Sequence, residues 1–167
     1  MKIQMLILGI ILSINSYSQK FHLDKDSHLL SVDTVVTLND SIKVTKIYSN
    51  IKKWIVDTYK NAEKVTVSDL ENEQITLRYI KGFKSSGVVN DYYCTMQIKM
   101  KDNKFKLVLN SISDVKSNTP IESTFIKKDG SMRLNSVTNK LILQFEEELI
   151  NSSKSIYSKL ISPEEKW

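Results

Sequence analysis

One cysteine, Cys94, occurs in the 167-residue chain. No intramolecular disulfide can form, so stability must come from packing. Glycine is almost as scarce: Gly9, Gly82, Gly87 and Gly130 are the full set, and none opens a glycine-rich phosphate loop. Histidine occurs twice, as His22 and His28, with Asp24 and Asp26 between them. Zinc takes three or four ligands at fixed geometry, which an aperiodic arm with two histidines does not present. No metal and no cofactor is expected. Cys94 falls on the apolar side of an alternating segment, where a thiol behaves as a small hydrophobe with a raised pKa. No serine sits in a nucleophile-elbow pattern. The run Glu146-Glu147-Glu148 spreads over different faces of a helix and reads as solvated surface. These absences leave no catalytic residue to nominate.

The apolar run Ile3 to Ile14 is about 12 residues long, the length of a signal-peptide core and well short of the roughly 20 needed to cross a bilayer. Lys2 precedes it, and Ser16-Tyr17-Ser18 follows with small residues at the recognition positions. Residues 1–18 therefore read as an export signal, with cleavage expected between Ser18 and Gln19; the alternative is an uncleaved interfacial helix. No cysteine follows the apolar core, which excludes a lipid anchor on a new N-terminal Cys. The mature chain is expected to be soluble, exported and without a transmembrane segment. It retains 167 − 18 = 149 residues, enough for one domain that buries about 68–70% of its unfolded surface. Its charge, without Lys2, is 23 − 19 = +4. That excess is spread along the chain. It suits anionic partners without naming one, and nucleic acid is a poor expectation for an exported protein.

Residues 19–31 form a leading arm of no clear period. The β-branched stretch "VDTVVTLND" then reads as a strand closing on Asn39-Asp40. In "VTKIYSNIKKWIVDTYK" Thr45 is a plausible N-cap. Ile47, Tyr48, Ile51, Trp54, Ile55, Thr58, Tyr59 and Ala62 fall within an arc of roughly 140°. Such a basic, aromatic helix either grips a surface or covers a sheet. Burying Trp54 and Tyr48, at about 25 cal/mol per Å², outweighs weak contacts by Lys46, Lys53 and Lys60, so the helix is expected to cover a sheet. Three alternating segments follow. Ile75, Leu77, Tyr79 and Phe83 share one face; Tyr92, Cys94, Met96, Ile98 and Met100 another; Phe105, Leu107 and Leu109 a third. Asp102-Asn103 suits a two-residue hairpin with positive φ. Residues 113–135 hold Pro120 and a Lys128-Asp129-Gly130-Ser131 turn signal, and are expected to be an extra edge strand or a mobile excursion. A long helix from about Ser136 to Ile161 stops before Pro163, with a core stripe of Val137, Leu141, Ile142, Phe145, Leu149, Ile156 and Leu160; residues 163–167 form a tail. The order predicts a single two-layer α+β domain over residues 32–162, β-α-β-β-β(-β)-α. Its antiparallel sheet carries two helices on one face and leaves the other bare.

The run "VVTLNDSIKVTKIYSNIKKWIVDTYKNAEKVTVSD", followed by "QITLRYIKGF", resembles an exported bacterial family catalogued as domain of unknown function 4468, with a TBP-like fold. Thr45, Tyr48 and Trp54 fit its cap, aromatic and tryptophan pattern, and "KDNKFKLVLNSISDV" resembles its later hairpin. Lys106 stands where the family commonly has arginine, and 113–135 matches nothing in it. The resemblance covers roughly Val32 to Val115. It implies a curved antiparallel sheet backed by two helices, and no activity.

Two surfaces stand out as binding candidates. Arg78, Tyr93, Gln97, Lys99, Lys104 and Lys106 are expected on the uncovered sheet face, a polar, cationic platform for an anionic glycan, a peptide or an envelope protein. Leu143, Ile150 and Tyr157 recur every seven residues nearly opposite the core stripe of the last helix, where a partner helix could sit. The expectation is a non-catalytic interaction module of the cell envelope using the open face. The alternatives are a structural subunit paired through the C-terminal helix, and a small hydrolase.

Overall fold

The computed structural model describes residues 21–23, 29–38, 41–85 and 87–161. The export segment and its cleavage point, His28, Asp24, Asp26, the Asn39-Asp40 turn and the tail 163–167 lie outside the described residues. The strands among the described residues are β1 (His22–Leu23), β2 (Leu30–Thr37), β3 (Thr66–Leu70), β4 (Gln74–Ser85), β5 (Val88–Lys101) and β6 (Lys104–Asp114), and period-two alternation marks β4, β5 and β6 most plainly. They form one 6-stranded sheet in the order β1-β2-β6-β5-β4-β3, antiparallel at every junction. The helices among the described residues are α1 (Val44–Thr58), α2 (Ala62–Val65), α3 (Glu122–Phe125) and α4 (Ser136–Ile161).

Every apolar alternation points at the helical layer. Leu77, Tyr79, Met96, Ile98, Leu107 and Leu109 from the sheet are buried against Ile47, Ile51, Trp54 and Ile55 of α1 and Leu141, Phe145, Leu149 and Ile156 of α4. The intervening positions, Arg78, Ile80, Lys99 and Lys104 among them, remain exposed. This is the predicted two-layer α+β domain with one open face. Trp54 is 2% exposed and its Nε1 donates to Ser155 Oγ at 3.0 Å. Ser152 and Ser153 of α4 are buried as well, the Ser153 hydroxyl donating to Ile150 C=O at 2.8 Å. The basic, aromatic helix covers the sheet, as its burial energetics require.

Three local expectations are corrected. The α1 helix begins at Val44, after Lys43, which makes no side-chain cap; Thr45 lies inside the first turn. The cap comes from 58 residues away: Val44 N–H donates to Asp102 Oδ1 at 2.8 Å, satisfying one of the orphan donors of a helix start. Asp102 stands in the β5–β6 turn, where only Asn103 takes positive φ (63°). Its neighbour Asn103 donates to Ile42 C=O and accepts from Leu38 N–H, so one turn organises both a hairpin and a helix start.

The leading arm is not structureless, since His22–Leu23 pairs with β2 and β2 itself starts at Leu30. Residues 113–135 are neither an edge strand nor a loose excursion. Ile121 and Phe125 are buried, Glu122 Oε1 accepts from Leu30 N–H at 2.9 Å, and Ser113↔Pro120 and Ile126↔Met132 form isolated bridges. The Lys128–Ser131 signal makes its turn, with Gly130 at φ +79° and Lys127 N–H donating to Ser131 C=O. Two buried side chains anchor the whole connection, and the sequence hid them among polar neighbours.

A bulge also resets β6. Ser111 takes φ +47°, and the register with β5 slips between the Thr95↔Asn110 and Tyr93↔Ser113 pairs. One extra residue there returns Ile112 to the core, where strict alternation would have placed Ser111.

Candidate functional site

The open face holds all six residues expected there but divides them into two features with Gln97 between. Tyr93 and Lys99 are six residues apart on β5, about 20 Å at ~3.3 Å per residue. At one end the Arg78 guanidinium lies over the Tyr93 ring, 5.0 Å from its centroid, a cation–π contact between adjacent strands. A hollow of about 470 Å³ runs from Arg78 past Thr95 and Ser113 beneath Asn118 and Pro120 to Glu122. The chain overhangs this end because of the 113–122 connection, which the sequence did not place.

At the other end the ladder sets lysines against each other. Lys99 stands directly opposite Lys106, and Lys101 directly opposite Lys104. With Val35 they line a hollow of about 260 Å³. Like charges directly opposite across a strand pair destabilise a sheet. Lys106 has a counter-ion, Asp33, at 2.8 Å. Lys101, Val35 and Asp33 were not singled out from the sequence. The signal was present in "KMKDNKFK": once Asp102-Asn103 is the turn, the four lysines pair off by arithmetic.

The second surface does not form a continuous seam. Leu143 is 63% exposed, but Ile150 is half-buried and Tyr157 is half-buried against the core. The helix rotates about 20° per heptad relative to a 3.5-residue repeat, which carries the later positions of a seven-residue stripe toward the sheet.

Glu148 is also unlike the solvated carboxylate expected. Its side chain is 12% exposed, with Lys81 Nζ at 2.8 Å and the Tyr79 hydroxyl donating to it at 3.3 Å. Cys94 is fully buried. Burial first, and the Glu148 charge second, push its thiol up to about 12, so it carries no nucleophilic thiolate near neutral pH. The same two causes raise the Tyr79 and Tyr59 hydroxyls above the ordinary phenol value. Among the described residues no three His, Cys, Asp or Glu side chains gather as a cation cage; His22 Nε2 is hydrogen-bonded with Ser31 Oγ at 3.2 Å. No helix among them is long and apolar enough to cross a membrane.

No protein-family model and no curated protein matches the chain. Two solved structures are similar in fold. One is a DUF4468 family protein from Bacteroides ovatus, with TM-score 0.58 and 12% identity over 87% of this chain and 94% of that one. The other is a TBP-like protein from Parabacteroides distasonis, with TM-score 0.63 and 12% identity over 85% of this chain and 99% of that one. The first carries the family description that the sequence resembles. The chain thus has the TBP-like α+β fold, a likeness of architecture that brings no activity with it.

Proposed function

We propose that this chain is an exported, non-catalytic binding module of the cell envelope whose open sheet face holds an anionic polymer, a glycan bearing carboxylates. One observation carries the reading. The directly opposed pairs Lys99↔Lys106 and Lys101↔Lys104 crowd four cations onto one corner of a solvated face. Among the described residues Asp33 is the only carboxylate paired with any of them, and an incoming polyanion relieves that repulsion. Arg78 and Tyr93 extend the track about 20 Å further along the strands, adding a cation and a stacking surface. A linear ligand that bridges both ends gains more than one confined to either.

The test separates binding from folding. Lys99→Glu replaces a like pair with an opposite pair across from Lys106, so the free protein should gain about 0.2–1 kcal/mol of stability in urea denaturation. The same variant should bind polygalacturonate at least tenfold more weakly in calorimetry at low salt. Wild-type binding should fall steeply with added NaCl, as screening demands. Equal affinity in the variant and the wild type would overturn the proposal, and so would tight binding to an acidic protein surface with none to the glycan.

Export rests on the apolar segment at residues 3–14 and its small-residue exit. Protein recovered from an envelope fraction should begin at Gln19 on N-terminal sequencing; retention of Met1 removes the exported part of the reading.

A further inference from the structure

Strand β4 has a neighbour on both sides along only part of its length. All 12 of its residues pair with β5, but β3 pairs only with Gln74 to Leu77. From Arg78 onward the other edge has no strand beside it among the described residues. The direction of its backbone groups follows from two contacts. Lys84 N–H donates to Gln144 Oε1 at 2.7 Å, and Lys84 C=O accepts from Gln144 Nε2 at 2.9 Å, so Lys84 points away from β5. Asp91, the partner of Gly82, turns its C=O to Val115 on the β6 side, so Gly82 also points away from β5. Backbone direction repeats every second residue. Ile80 and Gly82 therefore present their N–H and C=O groups to the bare edge, and Arg78 its C=O; the Thr66↔Leu77 pair, with Leu77 facing β5, takes the Arg78 N–H to the Val65 C=O.

The gap has two closed ends and a lined side. The start of β3 closes it at the Arg78 N–H, and the Gln144 amide stands in for a strand at Lys84. Alongside lies an open hollow of about 700 Å³, lined by Tyr59, Lys64, Val65, Val67, Arg78 and Ile80 among others. Val67 and Ile80 are 63% and 54% exposed. Among the described residues Lys64 and Arg78 are the charged ones lining it.

We propose that the β4 edge from Arg78 to Gly82 is a strand-addition site for a short extended segment of another protein. That segment carries alternating apolar and acidic side chains. Main-chain hydrogen bonds to the Arg78 C=O and to both backbone groups of Ile80 and Gly82 supply the pairing, and side-chain pockets supply selectivity, the recurring division of labour in strand addition. Val67 and Ile80 take the apolar side chains; Lys64 and Arg78 take the carboxylates. The length of the gap selects against a second copy of this chain. Arg78 to Gly82 spans about 13 Å, whereas a neighbouring β4 would bring 12 residues and run into Thr66 or Gln144. This site lies at the sheet edge and does not depend on the lysine pairs of the open face.

The test uses the peptide acetyl-VEVDVEV-amide and a copy N-methylated at alternate residues, which keeps the side chains and loses the donors. In the free protein the Ile80 and Gly82 amides should exchange fast with deuterium. Saturating peptide should slow both at least tenfold, the methylated copy should bind at least tenfold more weakly, and Lys64→Glu should weaken the unmodified peptide several-fold. Three results overturn the proposal. One is equal binding of both peptides. The second is slow exchange at Ile80 and Gly82 without peptide, which means the chain covers its own edge. The third is self-association that protects these amides, which makes the occupant a second copy.

Discussion

Phe145→Ala is expected to lower the unfolding free energy by about 3–5 kcal/mol, measured by urea denaturation with a wild-type slope. Phe145 is fully buried where three parts of the fold converge. Its ring meets Phe83 edge-on at 4.7 Å, Tyr92 at 6.4 Å and Phe21 at 6.4 Å. Alanine there leaves a cavity that the sheet cannot collapse into, because β4 and β5 are held by continuous pairing across it. At roughly 2–4 °C per kcal/mol for a chain of this size, the midpoint should fall by about 6–20 °C. Phe145→Leu, which keeps most of the volume, should lose much less. A loss below 1 kcal/mol for the alanine variant would place the structural centre elsewhere.

Phe125→Ala should cost about as much, again about 3–5 kcal/mol. This result discriminates sharply, because a surface excursion would respond within ±0.5 kcal/mol. Phe125 is fully buried, its ring 5.5 Å from Phe21. Its short helix is tied to β2 through Glu122 and Leu30. Since Phe21 touches both Phe125 and Phe145, the two substitutions share a partner. The double variant should therefore depart from additivity by about 0.5–3 kcal/mol, a coupling that calorimetry or denaturation reads directly.

What was legible in advance follows from how each signal is encoded. The α4 boundaries came out as Ser136–Ile161 because a long periodic stripe ended by a proline is a local message. The strands β4, β5 and β6 likewise declare their inner faces through uninterrupted alternation. β3 was missed: five residues, mostly half or fully exposed, carry no alternation to find, and only pairing with β4 makes them a strand. Ile121 and Phe125 were missed because isolated apolar residues in a polar stretch have no period. Of the candidate site, the six outward residues were found, since alternation names a face. Their grouping was not, since a face says nothing of which residues stand opposite or what overhangs them.

The amino-acid sequence by itself determined the layers: which side of each strand is oily, which side of each helix answers it, and hence a two-layer α+β fold with one face bare. Periodicity alone accomplishes this, because burial is non-directional and needs only that the apolar positions line up. Tertiary structure decided everything set by register and by contacts distant in sequence. The helix start capped from Asp102, the Asp33 counter-ion of Lys106 and the unpaired edge of β4 all arise when segments distant in the chain settle at one relative offset. No stretch of sequence states that offset on its own, because it is the property of two segments meeting.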